Sequence, residues 1–291
     1  MTEAEIVLRL RAAGSVFAER EATMLVAEAD DHAQLERMVA RRVAGEPLEQ
    51  IVGWAEFDGM RFVVEPGVFV PRHRTEFLVQ HAVSLGHPDA VVLDLCCGVG
   101  ALGVAVRSRL GGSVELHAAD LDPAAVRCAH LNVGRTDTTV PGRVFEGDLY
   151  EPLPESLRGR VELLLANAPY VPTPDIALLP PEAREHEHLL ALDGGADGLE
   201  LHRRVIAGAP AWLMPGGRLL IEVSEAQAGV AASLMADAGL SVQAAVDDQD
   251  DDVTTVLIGR LPLETDRTRT DAAPESGTGP NTRPPARTRS R

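Results

Sequence analysis

The chain has 291 residues and is 45% hydrophobic, enough for one large or two modest domains with a real core. Apolar runs such as Val161–Ala166 fall far short of the ~20 residues that span a bilayer. The formal charge is −17 and all 27 basic residues are arginine, so the surface repels phosphate backbones and a duplex nucleic acid is not the expected partner. The N-terminus, MTEAEIVLRLRAAG, is amphipathic and acidic, without the charged cap and apolar segment of a secretory leader, which points to the cytoplasm. Cys96, Cys97 and Cys128 make no CxxC pair and read as reduced, packed thiols.

Residues 2–44 carry helical spacing in three short pieces, through Ile6, Leu8 and Leu10, then Met24 and Leu25, then Leu35, Met38 and Val39. EQIVGWAEFDGMRFVVEPG predicts a hairpin turning at Asp58-Gly59 between Phe57 and Phe62. RHRTEFLVQHAVSL returns to a helix. From Ala90 the pattern alternates. Strand VVLDL precedes a helix from about Ala101, and strand VELHAADL precedes helix PAAVRCAHLNV. Strands GRVFEGD and VELLLAN, helix LELHRRVIAGAPAWL, strand GRLLIEV, helix AGVAASLMADAG and two closing strands follow. Near-continuous apolar strands alternating with helices predict an α/β fold: a parallel sheet covered on both faces, with an antiparallel strand at its end. The expected division is a helical domain (1–48), a linking β-hairpin (49–73), the main α/β domain (74–261) and a disordered tail (262–291), whose composition cannot offset its ordering entropy.

DLCCGVGALG, Asp94 to Gly103, closes the first strand of the alternating part. Glycines in a strand-to-helix turn let backbone approach a ligand closely. Asp120, ending the next strand, is placed to accept hydrogen bonds from both ribose hydroxyls. Asp94, Gly98, Gly100 and Asp120 are expected to line one crevice at the carboxyl ends of the strands. A glycine turn with a ribose acid suits a dinucleotide or S-adenosylmethionine. The acid inside the strand end and the lack of a GxGxxG turn favour the latter. So does Asp148, placed to bind an adenine amino group with Leu149 against the ring.

LLLANAPYVPT then places Asn167, Ala168, Pro169 and Tyr170 at the same rim. An amide or aromatic amine nitrogen is a poor nucleophile, because its lone pair is delocalised. The Asn167 carboxamide oxygen and the Ala168 carbonyl can accept both N–H bonds of a substrate –NH2 and aim its lone pair at a methyl group. Pro169 stiffens the turn and Tyr170 offers a stacking face. Methyl transfer then needs orientation and charge stabilisation.

The motif resembles the Asn-Pro-Pro-Tyr signature of amino-methyltransferases. From about Glu46 to Gly259 the chain is similar to the HemK/PrmC family of release-factor N(5)-glutamine methyltransferases. The resemblance runs through EPLEQIVGWAEFDGMRFVV, VFVPRHRTEFLV, ALDGGADGLELHRRVI and LMPGGRLLIEVSEAQ. It implies a class I methyltransferase fold, Rossmann-like, with a seven-stranded mostly parallel sheet. It also implies S-adenosylmethionine as donor and the GGQ-loop glutamine of peptide chain release factors as acceptor. Cofactor contacts would come from Cys96, Cys97, Gly98, Val99, Gly100, Asp120 and Leu149, with Asn167 near the methyl. The substrate amide would be held by Asn167, Ala168, Pro169 and Tyr170. Arg72, Thr75 and Glu76 fall on the family's PRxxTE segment, expected near the active site.

Three positions depart from the family pattern. Cys96 replaces a glycine and is expected to need a negative φ. Ala168 replaces a proline, keeping the carbonyl but losing rigidity. Asp247–Asp252 stand where an aspartate, glycine and arginine segment is usual. Alternatives are methylation of an adenine amino group in RNA or DNA, methylation of a small-molecule amide, and cofactor binding without catalysis. REHEH (Arg184–His188) lacks HExxH spacing and reads as solvated loop polarity. Asp247–Asp252 lack the glycine and closing glutamate of a calcium loop. No metal is expected.

Overall fold

The computed structural model describes residues 1–135, 139–248 and 253–263. The expected tail lies outside the described residues from 264 onward, as do residues 249–252 of the aspartate run.

Four helices open the chain: α1 (Glu3–Ala12), α2 (Ala18–Glu28), α3 (His32–Val43) and α4 (Leu48–Val52). Thr2 starts α1 with a capping box closed by Glu5, and the Asp31 carboxylate accepts the Gln34 N–H at the start of α3. Both devices satisfy amides the first turn leaves without partners. The helices bury Ile6, Leu10, Leu25, Met38, Val39 and Ile51 in a core of their own. Leu8, expected on the apolar stripe, is 67% exposed. Leu48 and Ile51 belong to this core, so it draws on α4, just past residue 48.

The hairpin pairs β1 (Trp54–Phe57) with β2 (Met60–Val63). Asp58 and Gly59 have φ of 48° and 71°, and positive φ at both central residues is what a two-residue hairpin turn requires. A 3-10 turn at His73–Thr75 leads into α5 (Glu76–Leu85).

The remaining elements are β3 (Val91–Leu95), α6 (Ala101–Leu110), β4 (Glu115–Asp120), α7 (Pro123–Gly134), β5 (Arg143–Glu146) and β6 (Val161–Ala166). They continue with α8 (Pro181–His186), α9 (Glu200–Trp212), β7 (Leu213–Val223), α10 (Glu225–Asp237), β8 (Ser241–Asp247) and β9 (Thr254–Arg260). The sheet order is β5-β4-β3-β6-β7-β9-β8. All pairings are parallel except those of β9, which is antiparallel to both neighbours. Successive strand residues point to opposite faces, so an apolar run feeds two cores at once. Leu163 and Leu165 join the core on one face, and Leu164 and Ala166 the core on the other. All four are fully buried, each leucine contributing about 2 kcal/mol of apolar transfer.

The register of this sheet assembles the site. Leu95 stands level with Ala119 and with Ala166, and Ala166 with Ile221. The residues one step further, Asp120, Cys96, Asn167 and Glu222, therefore stand in a row at the carboxyl ends of these strands. The strand order reverses between β3 and β6, where open α/β sheets bind ligands. No described helix is long and apolar enough to cross a membrane.

Candidate active site

A cavity of about 610 Å³ opens above Asp120, Cys96 and Asn167 of that row. Its floor is the turn after β3. Cys96 has φ 53°, which corrects the expectation of a negative value. A side chain in the left-handed region costs about 1–2 kcal/mol. Two hydrogen bonds beyond it hold the turn: Cys97 N to Ala119 O at 3.1 Å and Gly98 N to Asp120 Oδ2 at 2.7 Å. Burial, then the charges of Asp120, Asp94 and Asp148, push the Cys96 thiol far up, so it stays an unreactive packing group.

Two expected lining residues lie elsewhere. Asp94 is fully buried, outside the cavity wall, and its Oδ2 accepts the Gly103 N–H at 2.8 Å, tying α6 to β3. Burial pushes its acid up to about 7, against the pull of the Gly103 N–H. Gly100 also lies off the wall; at φ 79° it starts α6 and lets the turn pass Ala129. Cys96, Cys97, Gly98, Val99, Asp120, Asp148 and Leu149 do line the cavity. Asp120 accepts from Gly98 through Oδ2 and from Asp122 N through Oδ1 at 2.9 Å, leaving lone pairs on both oxygens. Burial pushes its acid up, and the N–H groups of Asp122 and Gly98 oppose this. Leu149, at φ 51°, turns its side chain to the wall, and the Asp148 carboxylate is paired with Arg204 at 2.8 Å.

Asn167, Ala168, Pro169 and Tyr170 face the turn across the cavity. Asn167 Nδ2 donates to Thr75 Oγ1 at 3.4 Å. Among the described residues neither its Oδ1 nor the Ala168 carbonyl accepts a hydrogen bond. The stiffness the missing proline would bring is supplied by hydrogen bonds. Gln227 Nε2 donates to Tyr170 O at 2.8 Å, Val171 N to Leu192 O at 3.1 Å and Gly194 N to Val171 O at 2.9 Å. Gly198, at φ 74°, leaves room for that strapping: a Cβ there would lie 2.2 Å from Tyr170 O and 2.3 Å from Gln227 Nε2. Gly198→Ala is expected to cost about 1–3 kcal/mol of stability. A thermal melt checks this; an unchanged midpoint would show that the loop yields freely.

Arg72 and Thr75 reach the cavity, but Glu76 does not. Its Oε1 accepts the Asp58 N–H at 2.9 Å and so steadies the hairpin turn. Segment 171–199 contributes Leu179, Leu190 and Leu192 to the cavity wall. Within REHEH, Arg184, Glu185 and His188 are exposed as expected, but Glu187 is not. Glu187 is 6% exposed, with both oxygens 2.7 Å from Arg72 Nη2 and Oε1 3.1 Å from Val70 N. His188 Nδ1 lies 2.6 Å from Asp122 Oδ2. The segment is thus clamped to the residues after the hairpin, and Arg42 ties the opening helices to α8 through Glu182 at 3.1 Å.

Glu222, absent from the expected site, sits 2% exposed at the end of β7. Arg74 Nε lies 3.6 Å from its Oε1 and the Tyr170 hydroxyl 3.5 Å, while Arg74 Nη2 donates to that hydroxyl at 2.7 Å. Burial pushes the Glu222 acid up; hydrogen bonding to Thr75 and the Arg74 charge hold it down. An acid in the run LLIEV is the one signal that could have exposed it, since a carboxylate in a covered strand needs partners.

Residues 59–177 match the family model described as Methyltransferase small domain. The crystal structure of a methyltransferase from Pyrococcus furiosus superposes with a TM-score of 0.52 at 16% identity, over 69% of this chain and 90% of that one. With the sheet order and the glycine turn at its switch point, these define a class I methyltransferase fold. The chain is 37% identical over 262 residues to the release factor glutamine methyltransferase of Cereibacter sphaeroides, covering 84% of this chain and 92% of that protein. To the protein of the same name from Geobacter sulfurreducens it is 41% identical over 191 residues, 66% of this chain and 65% of that one. This chain belongs to the release factor glutamine methyltransferase family.

Proposed function

We propose that this methyltransferase moves a methyl group from S-adenosylmethionine to the side-chain amide nitrogen of the GGQ-loop glutamine of a peptide chain release factor. The observation that carries this reading is Asn167. Its NH2 end is committed to Thr75, so its oxygen and the neighbouring Ala168 carbonyl present two acceptors to the cavity. Two acceptors suit the two N–H bonds of a primary amide. Holding both turns the nitrogen lone pair toward the donor and stabilises the positive charge that develops there.

The cavity's own chemistry fits the cofactor. Asp120 keeps free lone pairs for two ribose hydroxyls, and Leu149 offers an apolar wall for adenine. When bound, S-adenosylmethionine supplies an electrophilic methyl on a positively charged sulfur. Among the described residues no group of acids, histidines and cysteines could hold a metal, and this reading calls on none. As nitrogen gains the methyl it gives up a proton, which passes to solvent.

The helical domain and hairpin are read as the receiving side for the protein substrate. A second cavity, lined by Arg20, Trp54 and Glu56, shares Pro71, Arg72 and Arg74 with the first. That supports a substrate loop entering between these parts. The test is mass spectrometry of the GGQ peptide after incubating the protein with S-adenosylmethionine and the host's release factors. A gain of one methylene mass on the glutamine is expected. No gain, with cofactor binding confirmed in the same sample, would overturn the substrate assignment.

A further inference from the structure

A tyrosine ring turns about two side-chain torsions unless something fixes its far end. In Tyr170 both ends of the residue are held. Gln227 Nε2 donates to its carbonyl at 2.8 Å, and Arg74 Nη2 donates to its hydroxyl at 2.7 Å. We propose that Arg74 is a positioning residue that holds the Tyr170 ring as a fixed wall beside Asn167, where the substrate amide is received. The inference deepens the proposed function and rests on it.

Arg74 and Tyr170 both line the main cavity, and Arg74 also borders the second one. The guanidinium therefore stands where the two cavities adjoin. A guanidinium only donates, whereas a phenol can accept and donate. At 2.7 Å the Tyr170 oxygen must be the acceptor, so its own proton points elsewhere, and Glu222 Oε1 lies 3.5 Å away to receive it. The same Oε1 is 3.6 Å from Arg74 Nε. The three side chains form a triangle in which each faces the other two. Glu222 lines neither cavity and is buried. A carboxylate in that setting needs an opposite charge beside it, and the pairing keeps the guanidinium on the hydroxyl. Arg74 comes from the 3-10 turn before α5, Tyr170 from the segment after β6 and Glu222 from β7, so the contact forms only in the folded sheet. A ring free to swing would let the substrate amide rotate off Asn167 and Ala168, and methyl transfer tolerates little misplacement of that kind.

The test compares Arg74→Met, Arg74→Lys, Tyr170→Phe and the double variant Arg74→Met/Tyr170→Phe in the full chain. With release factor as acceptor, Arg74→Met and Tyr170→Phe are each expected to lower kcat roughly 10-fold, with cofactor affinity within about threefold of wild type. The double variant should be no slower than the slower single one, because both changes break one contact. Arg74→Lys, which still donates, should recover most of kcat. Additive losses, or an unchanged kcat in Arg74→Met, would overturn the inference while leaving the functional reading in place. A second measurement stands apart from turnover. The chain has two tyrosines, so labelling tyrosine with carbon-13 at Cζ gives two NMR lines, that of Tyr170 assigned by its loss in Tyr170→Phe. Tyr150, whose hydroxyl donates to Val205 O at 2.6 Å, serves as the reference. Arg74→Met is expected to displace the Tyr170 line and leave the Tyr150 line in place, and Arg74→Lys to return it toward the wild-type position. A Tyr170 line unmoved in Arg74→Met would overturn the inference even if the release factor proved not to be the substrate.

Discussion

Asn167→Ala is expected to lower the rate of methyl transfer by about 10³-fold or more, while S-adenosylmethionine binds within several-fold of its wild-type affinity. The side chain stands in the row with Asp120, Cys96 and Glu222 and presents an oxygen that accepts no hydrogen bond among the described residues. Removing it leaves the substrate nitrogen held by one carbonyl instead of two acceptors. That permits rotation and takes away a dipole aimed at developing charge. Cofactor affinity changes little, because the turn after β3, Asp120 and Leu149 are untouched. Single-turnover kinetics and calorimetric titration separate the two effects. Transfer at the wild-type rate would show that the acceptor role lies elsewhere.

Asp120→Ala is expected to raise the cofactor dissociation constant about 100-fold, since each hydrogen bond to a charged group contributes ~1.5–3 kcal/mol. Two losses coincide. The ribose acceptor disappears, and Gly98 and Asp122 lose the carboxylate that joins the turn after β3 to the start of α7. Saturating cofactor should recover much of kcat, because Asn167 and Ala168 remain in place. Asp120→Asn, which keeps one acceptor, should fall between. Titration of the three proteins with S-adenosylmethionine measures this, and equal affinities would rule out the ribose contact.

Much of the architecture was legible in residue order. Runs such as LLLA could only be strands covered on both faces, and the glycine turn, the acid ending the next strand and the amide ending a later one each carried their own local signal. Parallel strands all present their carboxyl ends to the same rim, so those signals converge without knowledge of any contact. Cys96 was misjudged because its φ is decided by two hydrogen bonds from the following residues, to Ala119 O and Asp120 Oδ2. Those acceptors sit on another strand, beyond the reach of a local rule. Asp94 and Gly100 were placed on the cavity wall from their position in the turn, and it is the direction of each residue that moves them behind it.

The same distinction separates the two sets of acids. Asp120 ends β4 and Asp148 closely follows β5, and strand ends in a parallel sheet have a fixed address. Glu187 and Glu222 acquire meaning only from partners more than fifty residues away, Arg72 for one and Arg74 and Tyr170 for the other. By itself the sequence determined the α/β class and set acids and an amide at the strand ends. Tertiary structure alone decided which end of that amide faces the cavity and what clamps segment 171–199 to the rest. Those outcomes depend on hydrogen-bond donors and acceptors that meet only once the sheet has set its register.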